Sequence, residues 1–300
     1  MVFEDFLLKI YFISSKIAFD LLHTTVNKLL QKLYTIFYSL YTALIDTIHN
    51  DGIEHAGYLS FLILLSIFPF LIVLMVLASA FANLLDQYNF GWMLIIDNIP
   101  QDILSSLMPR INEIISGPPH SLLTVAIVSA IWTASSTIEG LRTVLNKAYR
   151  VPVSPPYILR RVLSIVQFLV ITLLIILTIV CSTLVPILIN LSNNGFSYNK
   201  YLFVEFVLFA VVSWLYFTLP NIKQNLVDVF PGSCIAVILW TVSAAAFKKY
   251  LKTSFNQLNL IYGSLGGVVV SLLFFYMLSL IFIFGAKFNF QLKNSKNFIK

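Results

Sequence analysis

The feature that most constrains this chain is a series of long apolar runs without charge. His55 to Leu85 is bounded by Glu54 and Asp86, and Val162 to Asn199 carries no charged residue at all. An α-helix needs about 20 mostly apolar residues to cross a bilayer. These runs are far too long for buried strands, and they do not alternate. They predict about six spans, at residues 58–82, 121–141, 162–190, 202–219, 230–247 and 265–284. Lipid offers backbone groups no hydrogen-bond partner, so each span is expected to be helical. Composition agrees: the 300 residues are 59% hydrophobic and 11% charged, whereas a soluble domain is about 25% charged. The fold class is therefore an all-α polytopic membrane bundle.

A net charge of +6 raises the question of nucleic acid. No Arg-rich run and no interleaving of aromatic and basic residues supports that reading, so no nucleic-acid partner is expected. Lys and Arg instead follow the positive-inside rule. With the N-terminus inside, fourteen fall in inner segments and five in outer ones. Both termini are thus expected in the cytoplasm. Lys248, Lys249 and Lys252 run against the rule, which marks 248–264 as an unusual loop or a partly re-entrant segment. Cys181 and Cys234 lie in apolar runs and suggest neither a disulfide framework nor a metal site. The start of the chain shows no cleavable signal pattern.

Three regions follow: an N-terminal segment at 1–54, the membrane domain at 55–290 and a short basic tail at 291–300. In the first, Leu22, Val26, Leu29, Leu33, Phe37, Leu40, Leu44 and Ile48 recur every three or four residues. That is one face of an amphipathic helix. It either lies in the inner membrane interface or packs on the bundle. The segment from Asn83 to His120 is the longest outer connection, and short capping helices are expected there.

Familiar catalytic patterns are missing. None of His23, His49, His55 and His120 forms H-E-x-x-H, and there is no G-x-S-x-G and no P-loop. No enzyme, cofactor or metal is expected. Polar groups at membrane depth are the remaining candidates, because they are costly there and commonly functional. Glu54 and His55 stand at the entrance of the first span, either as a favourable helix start or as the beginning of a polar path. Glu139 and Arg142 are three residues apart near the end of the second span and share a face with Ser135 and Ser136. This stripe predicts a structural ion pair or a path for a polar headgroup. Pro69 and Pro186 interrupt two spans, as hinges or fixed kinks. Ser66 is placed to bond backbone freed by Pro69. Gly263, Gly267 and Ser271 recur every four residues as a small-residue helix face, and together with Gly266 they are read as close packing or as a flexible gate or re-entrant turn. Pro220 and Pro231-Gly232 mark the turn between the fourth and fifth spans.

Several islands together resemble the YihY/virulence factor BrkB family, once called ribonuclease BN-like. They are the run Ala56 to Pro69, Trp132-Thr133-Ala134-Ser135 with Leu145-Asn146-Lys147-Ala148-Tyr149, Leu219-Pro220 with Phe230-Pro231-Gly232-Ser233 and Trp240, and Tyr262-Gly263-Ser264-Leu265-Gly266 with Gly285-Ala286 and Asn289. The resemblance covers about residues 30 to 290. It implies a six-span bacterial inner-membrane protein linked to envelope properties, serum resistance and lipid movement. Relatives usually carry Glu after the Gly-Ala of the last span, where this chain has Lys287. The expected role is movement of a lipid or lipid-linked envelope component, with membrane lipids as partners. The alternative is a scaffold contacting envelope proteins or a second copy.

Overall fold

The computed structural model describes residues 30–31, 33–85, 120–151, 156–191 and 200–298. Described residues form helices and turns. We number the helices α1 (33–49), α2 (Gly52–Leu85), α3 (His120–Ala148), α4 (Tyr157–Leu191), α5 (Lys200–Thr218), α6 (Leu226–Tyr262) and α7 (Gly266–Phe298). A 3-10 turn, Gly263–Leu265, joins α6 to α7.

The six expected spans fall on α2 to α7. Windows at Gly52–Leu74, Tyr157–Cys181, Leu226–Thr253 and Gly266–Ser295 are long and apolar enough to cross a membrane. Helix α5 adds a shorter apolar stretch, Leu202–Thr218. Helix α3 is more polar, since Glu139, Arg142 and Lys147 occupy its second half. Its neighbours therefore matter more than its hydropathy.

The helices close into a ring. Helix α4 packs on α3, α3 on α2, α2 on α7, α7 on α6, α6 on α5, and α5 returns to α4. A further contact of α3 with α7 crosses the middle. The ring is apolar outside and partly polar inside, the reverse of a soluble bundle. Phe61, Leu65, Phe68 and Ile72 form an exposed stripe on α2, and Ile158, Val162, Val166, Leu173 and Leu177 form another on α4. Ser60, Ser66, Ser135, Ser164, Thr172, Ser213, Ser233 and Ser279 are buried between helices. Small hydroxyl residues let backbones approach and can bond back to a carbonyl one turn earlier. Ser233 does this to Val229 at 2.9 Å and Thr172 to Phe168 at 2.9 Å.

The tightest crossing joins two of the motif blocks. A Cβ on Gly232 would overlap the Gly285 carbonyl and the Asn289 side chain. Glycine at both positions is what brings α6 and α7 together. Pro231 stands inside α6 rather than in the turn before it. The Asn289 side chain accepts from the Gly232 amide at 2.6 Å and donates to the Val229 carbonyl at 3.0 Å. Tyr216 donates to the Phe282 carbonyl at 2.6 Å beside the same crossing. A second tie joins the other blocks: the Asn221 amide donates to the Asn146 side chain at 2.9 Å.

Three sequence expectations change in detail. The stretch from Lys248 is not a loop, because α6 continues unbroken to Tyr262. Its 37 residues extend to about 55 Å at 1.5 Å each, well beyond a hydrocarbon core of about 30 Å. Lys248, Lys249 and Lys252 lie in the second half of that helix. The basic tail is likewise helical up to Phe298, as the end of α7. Ser66 does not serve the carbonyl freed by Pro69. Its hydroxyl lies 2.6 Å from the Thr137 hydroxyl and 3.2 Å from the Ile63 carbonyl, so it links α2 to α3.

Candidate functional site

The polar residues gather in two places, and α3 contributes to both. The first is a seam between α3 and α4. Arg160, Ser164 and Gln167 recur at helical spacing on α4 and face Ser136, Glu139 and Arg142 on α3. Glu139 is the hub. Its carboxylate lies 3.5 Å from Arg142 Nε and 3.4 Å from Arg160 Nη1, and accepts from the Ser164 hydroxyl at 2.9 Å. Arg142 is only 1% exposed and donates to the Gln167 side chain, while Glu139 keeps 15% exposure. One helical turn further along, Arg161 donates to Ser136 at 3.2 Å and to the Trp132 carbonyl. Its guanidinium lies 4.0 Å above the Trp132 ring, a cation–π contact. Trp132 itself is 50% exposed. The seam therefore sets three guanidiniums against one carboxylate beside a lipid-type outer surface.

The second place is a polar cavity of about 440 Å³ where the link from α1 to α2 meets α3 and α7. Asp46, near the end of α1, is its centre. Lys287 is buried in α7 and donates from Nζ to the carbonyls of Asp46 at 2.6 Å and Asn50 at 3.0 Å. Its ammonium is also 3.5 Å from the Asp46 carboxylate. Arg150 pairs with the other Asp46 oxygen at 3.1 Å. Two unusual backbones build the rim. Asp51 (φ 54°) ends α1, and Arg150 (φ 55°) ends α3, both in the left-handed region. At Arg150 the amides of residues 150 and 151 bond the carbonyls of Lys147 and Asn146, which is a Schellman cap normally reserved for glycine. Beside it, burial pushes the Tyr149 phenol well above its ordinary range, so it stays neutral.

The expected residues distribute as follows. Ser136, Glu139 and Arg142 join in the seam. Ser135 is fully buried and bonds back to the Trp132 carbonyl at 3.0 Å, the carbonyl that also accepts from Arg161. His55 lines the cavity instead, and Glu54 is exposed in the first turn of α2. Pro69 lies inside an unbroken α2, and Pro186 lies within α4. Gly263 is exposed with φ 57°, Gly266 is buried, and Gly267 is exposed with open space where a Cβ would stand. The close glycine contacts among the described residues lie elsewhere, at Gly52, Gly140, Gly232 and Gly285. The capping helices expected at residues 83–120 lie largely outside the described residues.

Asp46, Arg160, Arg161, Ser164 and Gln167 are site residues that the sequence reading passed over. The arginines count towards the inner charge total, which hides their second role. Their signal is a polar stripe at i, i+4 and i+7 on an otherwise apolar helix. Among the described residues, no group of three or more His, Cys, Asp or Glu side chains could hold a metal ion.

Long apolar helices that bury hydroxyls and ion pairs and expose hydrocarbon define a polytopic α-helical membrane protein. The model of the family described as Virulence factor BrkB matches residues 46–298, and the chain belongs to that family. It is 30% identical to the ribonuclease-like protein YfkH of Bacillus subtilis over 264 residues, covering 83% of this chain and 93% of that protein. A UPF0761 membrane protein of Vibrio campbellii is 29% identical over 249 residues, covering 80% of this chain and 77% of its own length. One from Actinobacillus pleuropneumoniae is 24% identical over 246 residues, covering 79% and 87%. No solved structure matches the chain.

Proposed function

We propose that the chain is a non-enzymatic protein of the bacterial inner membrane, both termini cytoplasmic, that moves a lipid or lipid-linked envelope component along the α3–α4 seam. One observation carries this reading. Arg142, Arg160 and Arg161 outnumber Glu139 in a seam flanked by exposed Trp132, Ile158 and Val162. An anionic headgroup would meet the partly exposed Arg160, backed by the buried charges of Arg142 and Arg161, while its tails stay against apolar side chains. Arginine suits phosphate-bearing groups because its fork donates two parallel hydrogen bonds. Glu139 keeps the Arg142 and Arg160 guanidiniums apart and oriented when no headgroup is present.

The test is translocation of fluorescent anionic lipid in reconstituted vesicles. Glu139→Ala and Arg142→Ala are each expected to slow it at least tenfold, and Arg160→Gln should do so with less risk to folding. Normal movement in the Glu139→Ala/Arg142→Ala double variant would reject the seam as a path. A second reading is a scaffold. It draws on the exposed face of α1, where Tyr34, Phe37, Tyr41 and Leu44 suit a membrane, an envelope protein or a second copy. Crosslinking from that face to a partner protein, with no lipid movement by the intact chain, would favour it.

A further inference from the structure

The cavity at the α1–α2 link holds more positive charge than its own acids use. Lys147, Arg150 and Lys287 face Asp46 and Asp51, with His55 beside them. Arg150 and Lys287 both converge on Asp46. Lys147 is exposed and has no ion-pair partner among the described residues. Arg150 is held rather than free. Its guanidinium lies 5.4 Å from the centre of the Phe290 ring and meets Asp46 through one terminal nitrogen. The other N–H groups are left to an incoming acceptor. The left-handed backbone at Arg150 and its cap fix where that side chain begins.

We propose that this cavity binds a phosphate-ester anion, with Lys147 as the free cation, Arg150 as the oriented fork and His55 as a further donor. A halide or a single carboxylate offers few acceptor sites to three donors that line one cavity, whereas a phosphate ester offers several oxygens and matches the paired N–H groups of Arg150. Lys287 is a positioning residue, since it keeps Asp46 and the end of α1 in place. The site stands apart from the seam and does not depend on lipid passing there. The ester is either a soluble one or the headgroup of a lipid reaching the rim.

The intact chain in neutral detergent would be tested by equilibrium dialysis against labelled glycerol 3-phosphate. In parallel it would be placed in nanodiscs of phosphatidylcholine with or without phosphatidic acid, and retained lipid measured. Binding in the first arm identifies a soluble ester, and selective retention of phosphatidic acid identifies a headgroup. In whichever arm binds, Lys147→Gln should weaken binding at least tenfold, and Lys147→Arg should restore most of it. Asp51→Asn, which removes a negative charge and keeps a residue that tolerates a left-handed backbone, should strengthen binding severalfold. Lys147 and Asp51 are exposed, so melting temperatures are expected to hold. No binding in either arm, or binding unmoved by Lys147→Gln, would overturn the proposal.

Discussion

Replacing Lys287 by Met should release α1 without unfolding the bundle. Met has similar length and is compatible with a helix, so the change removes charge more than volume. The ammonium is buried and serves three acceptors: the carbonyls of Asp46 and Asn50, and the Asp46 carboxylate. Both carbonyls are at the C-terminal end of α1, where a cation is also favoured by the helix dipole. Breaking a buried ion pair from one side costs about 3–5 kcal/mol. Arg150 remains on Asp46, which argues for the lower end, about 3 kcal/mol. At 1.4 kcal/mol per tenfold, that corresponds to roughly a hundredfold. Amide hydrogen exchange in nanodiscs reads this directly, because local opening need not involve the whole fold. Amides of residues 38–49 should exchange about a hundredfold faster, and those at the α6–α7 crossing should not change. Equal acceleration at both places, or none in α1, would refute the assignment of Lys287 as the anchor of α1.

Two further predictions concern the α6–α7 crossing. Gly285→Ala puts a methyl 2.5 Å from the Tyr216 hydroxyl and 2.8 Å from the Gly232 carbonyl, so α6 and α7 must separate. Overpacking of this kind costs about 1–3 kcal/mol, read as a lower melting temperature in detergent, and an unchanged melt would show that the crossing yields freely. Asn289→Ala takes the side-chain acceptor from the Gly232 amide and one of two side-chain donors from the Val229 carbonyl, which keeps the Ser233 hydroxyl, a loss of about 1–3 kcal/mol. Asn289→Asp keeps the acceptor but buries a carboxylate against the Val229 carbonyl and should lose at least as much; a smaller loss would mean that the bond to the Gly232 amide governs.

The helices were legible because hydrocarbon solvent imposes a coarse rule, roughly twenty uncharged apolar residues per crossing. The rule fails where a helix outlasts the hydrocarbon. Lys248, Lys249 and Lys252 read as a loop, yet propensity and hydrogen bonding carry α6 past them to Tyr262. Glu139 and Arg142 could be paired from their spacing, since residues three apart share a face. Their partners on α4 could not, because the 25-residue separation of Arg142 and Gln167 is set by how α3 and α4 cross. The cavity was less legible still. It needs Asp46 and Lys287, which are 241 residues apart, and it depends on left-handed backbones at Asp51 and Arg150, which have no glycine to announce them. Gly263 and Gly267 stood out by spacing, but an isolated sequence does not say which glycine meets another backbone. Gly232 and Gly285 do, because the Asn289 side chain bridges the turn in which one of them sits.

Helix α1 shows why its periodicity alone left two readings open. The face turned to the bundle is small and polar: Thr35, Ser39, Ala43, Asp46 and Thr47 are buried. Ala43 meets Phe288 and Leu292, and the Ser39 and Ser295 hydroxyls lie 3.2 Å apart. Leu33, Phe37, Leu44 and Ile48, four members of the apolar stripe, point away from the protein. Exposing such side chains to water forfeits about 1.5–3 kcal/mol each, so an aqueous α1 would gain by turning its stripe inward. It cannot turn, because Lys287 holds its C-terminal carbonyls and Arg150 holds Asp46. The arrangement is stable only where the outer face meets something apolar. Packing on the bundle and lying in the membrane interface are therefore compatible, each using a different side of one helix. The ion pairs that shape the cavity also fix which side α1 turns away from the bundle.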